Sequence, residues 1–246
     1  MVTNAIRLPV IRVNEIFGPT FQGEGHTVGK ICGFIRVSGC NLTCSWCDTP
    51  FTWDWKGKNG KVYNPKEETI GMFPEQIVYQ IEQMGLPKYS HIVFSGGEPM
   101  VQQTKLLIVM KILKQKKYKI EIETNGTVKI KDDEFFKYVD YINCSPKLPN
   151  SGMTLDKTIK PEVLKQYQKN GKNVMFKFVI VDPNDLTIVK DIVEEHKLKN
   201  IYIMAEGKTN KEQFLNMHKL TDSILKAGYN LSPRLHTLLW SDERGK

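Results

Sequence analysis

Val-Met-Phe-Lys-Phe-Val-Ile-Val, residues 174–181, is apolar at every position except Lys177. Near-continuous apolar character over so short a run marks a strand buried on both faces, the condition of strands in a parallel sheet. Outward from it, similar apolar or β-branched runs recur at 33–37, 91–94, 119–123, 141–144 and 200–204. Helix-like segments separate them. At 74–84, Ile77, Ile81 and Met84 share one face, and at 104–116 Leu107, Met110, Ile112 and Leu113 carry the apolar positions. The segment 161–170 closes at Gly171, 184–196 follows Asp182-Pro183, and 211–227 stops at Gly228. Strands alternating with helices predict an α/β fold with parallel pairing. Six such runs are too few for a closed eightfold barrel. The expected architecture is a partial, open TIM-like barrel of about six parallel strands with helices outside. Residues 1–246 read as a single domain, with 52–71, which has no clear period, as an insertion.

The chain has 246 residues and is 40% hydrophobic, enough to bury one large core. No apolar run is long enough to span a bilayer, and Met1-Val2-Thr3-Asn4 lacks a basic-then-apolar leader. With 5 cysteines in that length, a secreted disulfide framework is excluded in favour of a reducing cytoplasm. The net charge of +8 is spread through the chain, as in Lys111, Lys114, Lys116 and Lys117 on one helix. It reads as solvated helix faces, with attraction of anionic small molecules or an acidic electron donor as a second use; no nucleic-acid or membrane partner is expected.

Polar motifs gather where the strands end, and in parallel α/β folds ligands bind at those carboxyl ends. Ser95-Gly96-Gly97-Glu98-Pro99 follows the second run, Glu123-Thr124-Asn125-Gly126 the third, Ser145-Pro146-Lys147 the fourth and Ala205-Glu206-Gly207 the last. The first run leads into Ser38-Gly39-Cys40-Asn41-Leu42-Thr43-Cys44-Ser45-Trp46-Cys47-Asp48-Thr49. Three closely spaced thiols can hold a four-iron cube by three corners, leaving one iron free to bind something else. A structural zinc site is the competing reading, but it wants four ligands and no second Cys pair or His-x-His exists. Cys32 and Cys144, in or beside apolar runs, read as small core residues.

Cys40-x-x-x-Cys44-x-x-Cys47, with Trp46 before the last cysteine and Gly96-Gly97-Glu98-Pro99 downstream, resembles the radical S-adenosylmethionine (SAM) superfamily. Phe21-Gln22-Gly23-Glu24-Gly25, Arg36, Cys47-Asp48-Thr49, Met204-Ala205-Glu206-Gly207-Lys208-Thr209 and Leu235-His236-Thr237-Leu238-Leu239-Trp240 narrow the likeness to its 7-carboxy-7-deazaguanine synthases. The resemblance implies a [4Fe-4S] cluster on Cys40, Cys44 and Cys47, with SAM chelating the fourth iron. It implies ring contraction of 6-carboxy-5,6,7,8-tetrahydropterin to 7-carboxy-7-deazaguanine with loss of ammonia, a step of queuosine biosynthesis. Trp46, Gly96, Gly97, Glu98, Thr124, Ser145 and Lys147 would then bind SAM. Gln22, Gly23, Glu24, Gly25, Arg36 and His236 would bind the pterin. Arg36 suits its carboxylate by a bidentate fork, and Glu24 suits its donor edge. Thr49 would ligate Mg²⁺. A homodimer and a flavodoxin-type reductant are implied as partners. Where the resemblance departs, Thr237 follows His236 in place of a lysine, and the chain runs on past Trp240. Two other classes stay open: a radical SAM activase that installs a glycyl radical on a partner protein, and a zinc-stabilised basic module acting on tRNA.

Overall fold

The computed structural model describes residues 9–246; residues 1–4, read above for a leader, lie outside the described residues. Its strands are β1 (Ile11–Phe21), β2 (Ile31–Val37), β3 (Ile70–Met72), β4 (His91–Gly96), β5 (Lys119–Thr124), β6 (Tyr141–Cys144), β7 (Val174–Ile180), β8 (Ile201–Ala205) and β9 (Asn230–Leu231). Its α-helices are α1 (Pro65–Glu68), α2 (Pro74–Gln83), α3 (Gln103–Gln115), α4 (Phe135–Tyr138), α5 (Leu155–Thr158), α6 (Pro161–Asn170), α7 (Asp185–His196), α8 (Asn210–Ala227) and α9 (Leu235–Trp240). All strands lie in one sheet ordered β3-β1-β2-β4-β5-β6-β7-β8-β9. From β2 to β9 every neighbouring pair is parallel. β1 pairs antiparallel with both β2 and β3, so the sheet stays open. An open, mostly parallel α/β sheet was expected; the antiparallel β1 and β3 and the short β9 were not.

Each parallel strand is two-faced. On β7, Phe176, Phe178 and Ile180 join the core under the helices, while Met175, Lys177 and Val179 face the concave side. On β5, Ile120 and Ile122 enter the core and Glu121 and Glu123 take the other face. The same period of two puts Ile92 and Phe94 of β4 in the core, opposite His91 and Ser95. One apolar shell therefore lies between sheet and helices, and a second, polar interior lies on the concave face. The helices close that shell by local rules. α8 starts at a capping box, with Thr209 accepting from the Glu212 amide and Glu212 reaching back, and stops at Gly228 in the left-handed region.

The polar interior is hydrogen-bonded around Glu121, although Asn143 Oδ1 and His26 Nδ1 find no partner among the described residues. Glu121, wholly buried, accepts from Thr27 Oγ1 (2.5 Å), Asn143 Nδ2 (2.6 Å) and Gln22 Nε2 (2.7 Å), and lies 3.3 Å from His91 Nδ1. A buried carboxylate with fewer partners would be strongly destabilising. His26 packs on Tyr141 and Tyr202 beside it.

Candidate functional site

The carboxyl ends of the parallel strands open into a pocket of about 530 Å³. It is lined by residues from four of the five strand-end motifs singled out in the sequence; of the fifth, Ala205-Glu206-Gly207, only the flanking Met204 and Lys208 reach it. Cys40, Cys44, Trp46, Cys47 and Thr49 line it from the loop after β2. Gly96 and Gly97 follow β4, Thr124 ends β5, and Ser145 and Lys147 follow β6. Gln22, Gly23, Glu24, Arg36 and His236 complete the expected set.

Two expected residues do not reach it. Glu98 turns inward, wholly buried, where its carboxylate accepts from Met100 N (3.0 Å), Thr124 Oγ1 (2.8 Å) and Asn125 N (2.7 Å). It ties the turn after β4 to the end of β5, and it does not line the pocket. Gly25 is also buried away from the pocket. Its amide donates to Ser232 Oγ (3.2 Å), and the Asn143 side chain fills the space a Cβ would need.

The Gly-Gly turn is latched to the cysteine loop. Gly97 N donates to Val37 O (3.0 Å) and Glu98 N to Gly39 O (2.8 Å). A Cβ on Gly97 would lie 2.1 Å from Gly39 O and 3.0 Å from Cys40 N, so only glycine allows this approach. Gly96 sits at φ +119 against the Val37 backbone.

Segment 52–71, expected as an insertion after the cysteine loop, forms a pocket wall. Asp54, almost fully buried, accepts from the amides of Lys58 and Asn59 and closes the turn. Asn59 Nδ2 then reaches Cys44 O (3.1 Å), and Trp53 Nε1 points at Cys47 Sγ (3.3 Å). The Leu42 amide lies 3.4 Å from Cys40 Sγ. No group of three His, Cys, Asp or Glu side chains among the described residues is drawn together as a lone-ion site. The fit to a cluster rests on those N–H donors, because donors aimed at sulfur favour thiolate and tune a cluster. Burial, and then the Glu98 charge, push the Cys40 thiol up to about 12. Cationic irons would reverse that shift.

Beside Trp46, the Lys147 ammonium stands 5.4 Å from the ring centroid and donates to Ser145 Oγ (3.0 Å). Trp46 Nε1 donates to Asn150 Oδ1 (3.3 Å), which fixes the ring. Arg36 gives Nε to Glu15 Oε1 (2.6 Å) and lies 5.5 Å from the Phe17 ring. Arg244, from the tail, holds the other oxygen of Glu15 (3.0 Å) and covers the Phe51 ring. Residues 241–246 thus line the pocket mouth.

Two cations that sequence reading left unassigned converge on Glu24. Lys177 of β7 pairs with its Oε2, and Arg234 Nε lies 3.1 Å from its Oε1. Arg234 also donates to Gly207 O (2.7 Å) and Asp48 Oδ2 (2.5 Å). Burial pushes the Glu24 carboxyl up, but the Lys177 and Arg234 charges override it and hold it well below the ordinary range. Glu123 goes the other way, raised by burial and then by the Glu24 charge. His236 is pushed down by burial, toward the neutral ring. Its ring fills the space beside Gly23, whose carbonyl accepts from Leu235 N (2.8 Å). The signal for Lys177 was its being the lone charge in an apolar strand; Arg234 gave none.

A family model described as the radical SAM superfamily matches residues 34–163, the span from β2 through the cysteine loop to α6. The 7-carboxy-7-deazaguanine synthase of Bacillus subtilis (strain 168) is 33% identical over 96% of this chain and 98% of its own. The chain belongs to the 7-carboxy-7-deazaguanine synthase family of radical SAM proteins. The Bacillus cereus synthase is 30% identical over 97% of this chain and 99% of its own. Among solved structures, QueE from Escherichia coli superposes with a TM-score of 0.67 at 22% identity, covering 92% of this chain and 95% of that one. That likeness speaks for the fold, an open parallel sheet of the radical SAM type. Membership of this family implies a [4Fe-4S] cluster and SAM as cofactors. Among the described residues, no helix is long and apolar enough to cross a membrane.

Proposed function

We propose that this chain makes 7-carboxy-7-deazaguanine, the product in its relatives' name, from 6-carboxy-5,6,7,8-tetrahydropterin with loss of ammonia, in 7-deazapurine and queuosine biosynthesis. The observation that carries the reading is one pocket lined both by Cys40, Cys44 and Cys47 and by the charged set Glu24, Arg36, Lys177 and Arg234. When bound, the cluster supplies one electron to SAM, whose released 5′-deoxyadenosyl group removes a hydrogen atom from the pterin.

The protein's own part is binding and orientation. Cys40, Cys44 and Cys47 would hold the cluster through their thiolates, with Trp53 and the Leu42 amide supporting the sulfurs. Gly96, Gly97, Thr124, Ser145 and Lys147 receive SAM, and Trp46 stacks on its adenine. Glu98 braces that platform from beneath. Ionised Glu24 accepts from the pterin's amino edge. Each of its oxygens has one donor from the protein, which leaves room for a second. Arg36 keeps its terminal nitrogens for the substrate carboxylate while Glu15 fixes Nε. Gln22, Gly23 and neutral His236 line the same slot, and Gly25 shapes it from behind. Thr49 lines the pocket where Mg²⁺, with the substrate carboxylate and water, would complete an oxygen shell. The tail at the mouth limits water entry.

A homodimer, a flavodoxin-type reductant and a cytoplasmic setting belong to the same proposal. Its test is anaerobic incubation with SAM, a reductant and the carboxytetrahydropterin, with and without magnesium. Accumulation of a deazapurine is the expected result. SAM cleavage without any deazapurine would contradict it and favour an activase of a partner protein.

A further inference from the structure

We propose that Lys177 is a positioning residue for substrate recognition, holding the Glu24 carboxylate ionised and aimed so that it takes both N–H groups of the pterin's amino edge. The inference rests on the pterin reading and adds to it the residue that sets the edge's specificity. Lys177 projects from the middle of β7 to the concave face, and its side chain is only 7% exposed. Among the described residues its ammonium donates to Glu24 alone. Arg234 cannot replace it, because that guanidinium is shared with Asp48 and the Gly207 carbonyl.

The interior holds two further carboxylates: Glu121, tied to Thr27, Asn143, Gln22 and His91, and Glu123, which accepts from Gln22 Nε2 (3.1 Å) and Ser95 Oγ (2.6 Å). Two carboxylates in one water-poor space do not both stay ionised without a cation between them. Removing the Lys177 charge forces a proton onto one of them. If Glu24 takes it, one acceptor becomes a donor facing a donor, and an N–H of the ligand is left unpaired. The downward pull on the Glu24 carboxyl by Lys177 agrees with this geometry. The pair therefore selects a ring with two adjacent donors, the edge common to pterins and deazaguanines.

The probe is 7-carboxy-7-deazaguanine, which keeps that edge, titrated into the anaerobically reconstituted holoenzyme. Lys177→Met is expected to weaken its binding about tenfold to a hundredfold. The pterin KM should rise in step with a smaller change in kcat, while iron content and SAM affinity stay at wild-type levels. In a Glu24→Gln background the same substitution should cost roughly threefold or less, because its effect runs through Glu24. Binding by Lys177→Met within about twofold of wild type, or an undiminished loss in the Glu24→Gln background, would overturn the proposal. Lys177→Arg retains the charge and is expected to bind within about threefold of wild type. Loss of the probe by a Lys177→Arg protein that still holds iron and SAM would also overturn it, whether or not Lys177→Met folds. Failure of the wild-type enzyme to bind the probe would instead strike the pterin reading itself.

Discussion

Glu98 shows what one buried carboxylate does in this molecule. It takes three donors, from Met100, Thr124 and Asn125, and without it all three are buried and unpaired. Each orphaned donor costs about 1–3 kcal/mol. Glu98→Ala should therefore lower the melting temperature by at least about 5 °C and weaken SAM binding through the displaced Thr124. An unshifted melting curve would refute the bracing role. Glu24 supplies a pH test. Its carboxyl titrates below the ordinary value of 4.5 in the folded chain, so its pairing stabilises the fold above that pH and fades as pH falls below it. Denaturation midpoints of wild type and Glu24→Gln should differ most near neutrality and draw together progressively as the pH falls below 4.5 and on through the much lower folded value; a gap that stays constant would contradict the pairing. At this scale much was legible, because a cysteine triplet and a Gly-Gly-Glu-Pro turn are local signals. The direction in which a residue points is not local. Glu98 and Gly25 sit within the right motifs yet face away from the pocket, and Arg234 acquires its role only when the chain end folds back over Gly23.

The elements read well where a strand is central and a helix long. All six apolar runs became strands, and of the five long helices α6 has the expected bounds while the other four have shifted ends. β1 escaped because register shifts between Val13 and Glu15 and between Phe17 and Thr20 break its alternation of two. Helices α1, α4 and α5, four residues each, are too short to show a period. Segment 52–71 reads only as an insertion, because nothing in its composition reveals that Asp54 folds it back onto the cysteine loop. That loop and the turn after β4 meet backbone against backbone. Gly97→Ala would drive a methyl into the Gly39 carbonyl, and the backbone holding Cys40 would have to move. Anaerobically reconstituted Gly97→Ala should hold markedly less iron than wild type while keeping its circular dichroism. Full iron loading would show that the loops are not coupled.

Over the whole molecule, the open parallel sheet separates two chemistries. Its convex side buries an apolar shell against helices, and its concave side keeps a hydrogen-bonded polar interior that ends in the pocket. The alternation that builds both faces was present in the strand sequences, as in Lys119-Ile120-Glu121-Ile122-Glu123-Thr124. Which face would be concave depended on strand order and was not. The central claim is that this pocket carries a four-iron cluster with one corner left open for SAM. Iron analysis with electron paramagnetic resonance of the reduced, oxygen-free protein, before and after SAM is added, tests it most directly. The expected result is about four irons per chain and a spectrum that changes on SAM addition, with both lost in Cys44→Ala. A colourless zinc-loaded protein, or a cluster whose spectrum ignores SAM, would contradict it.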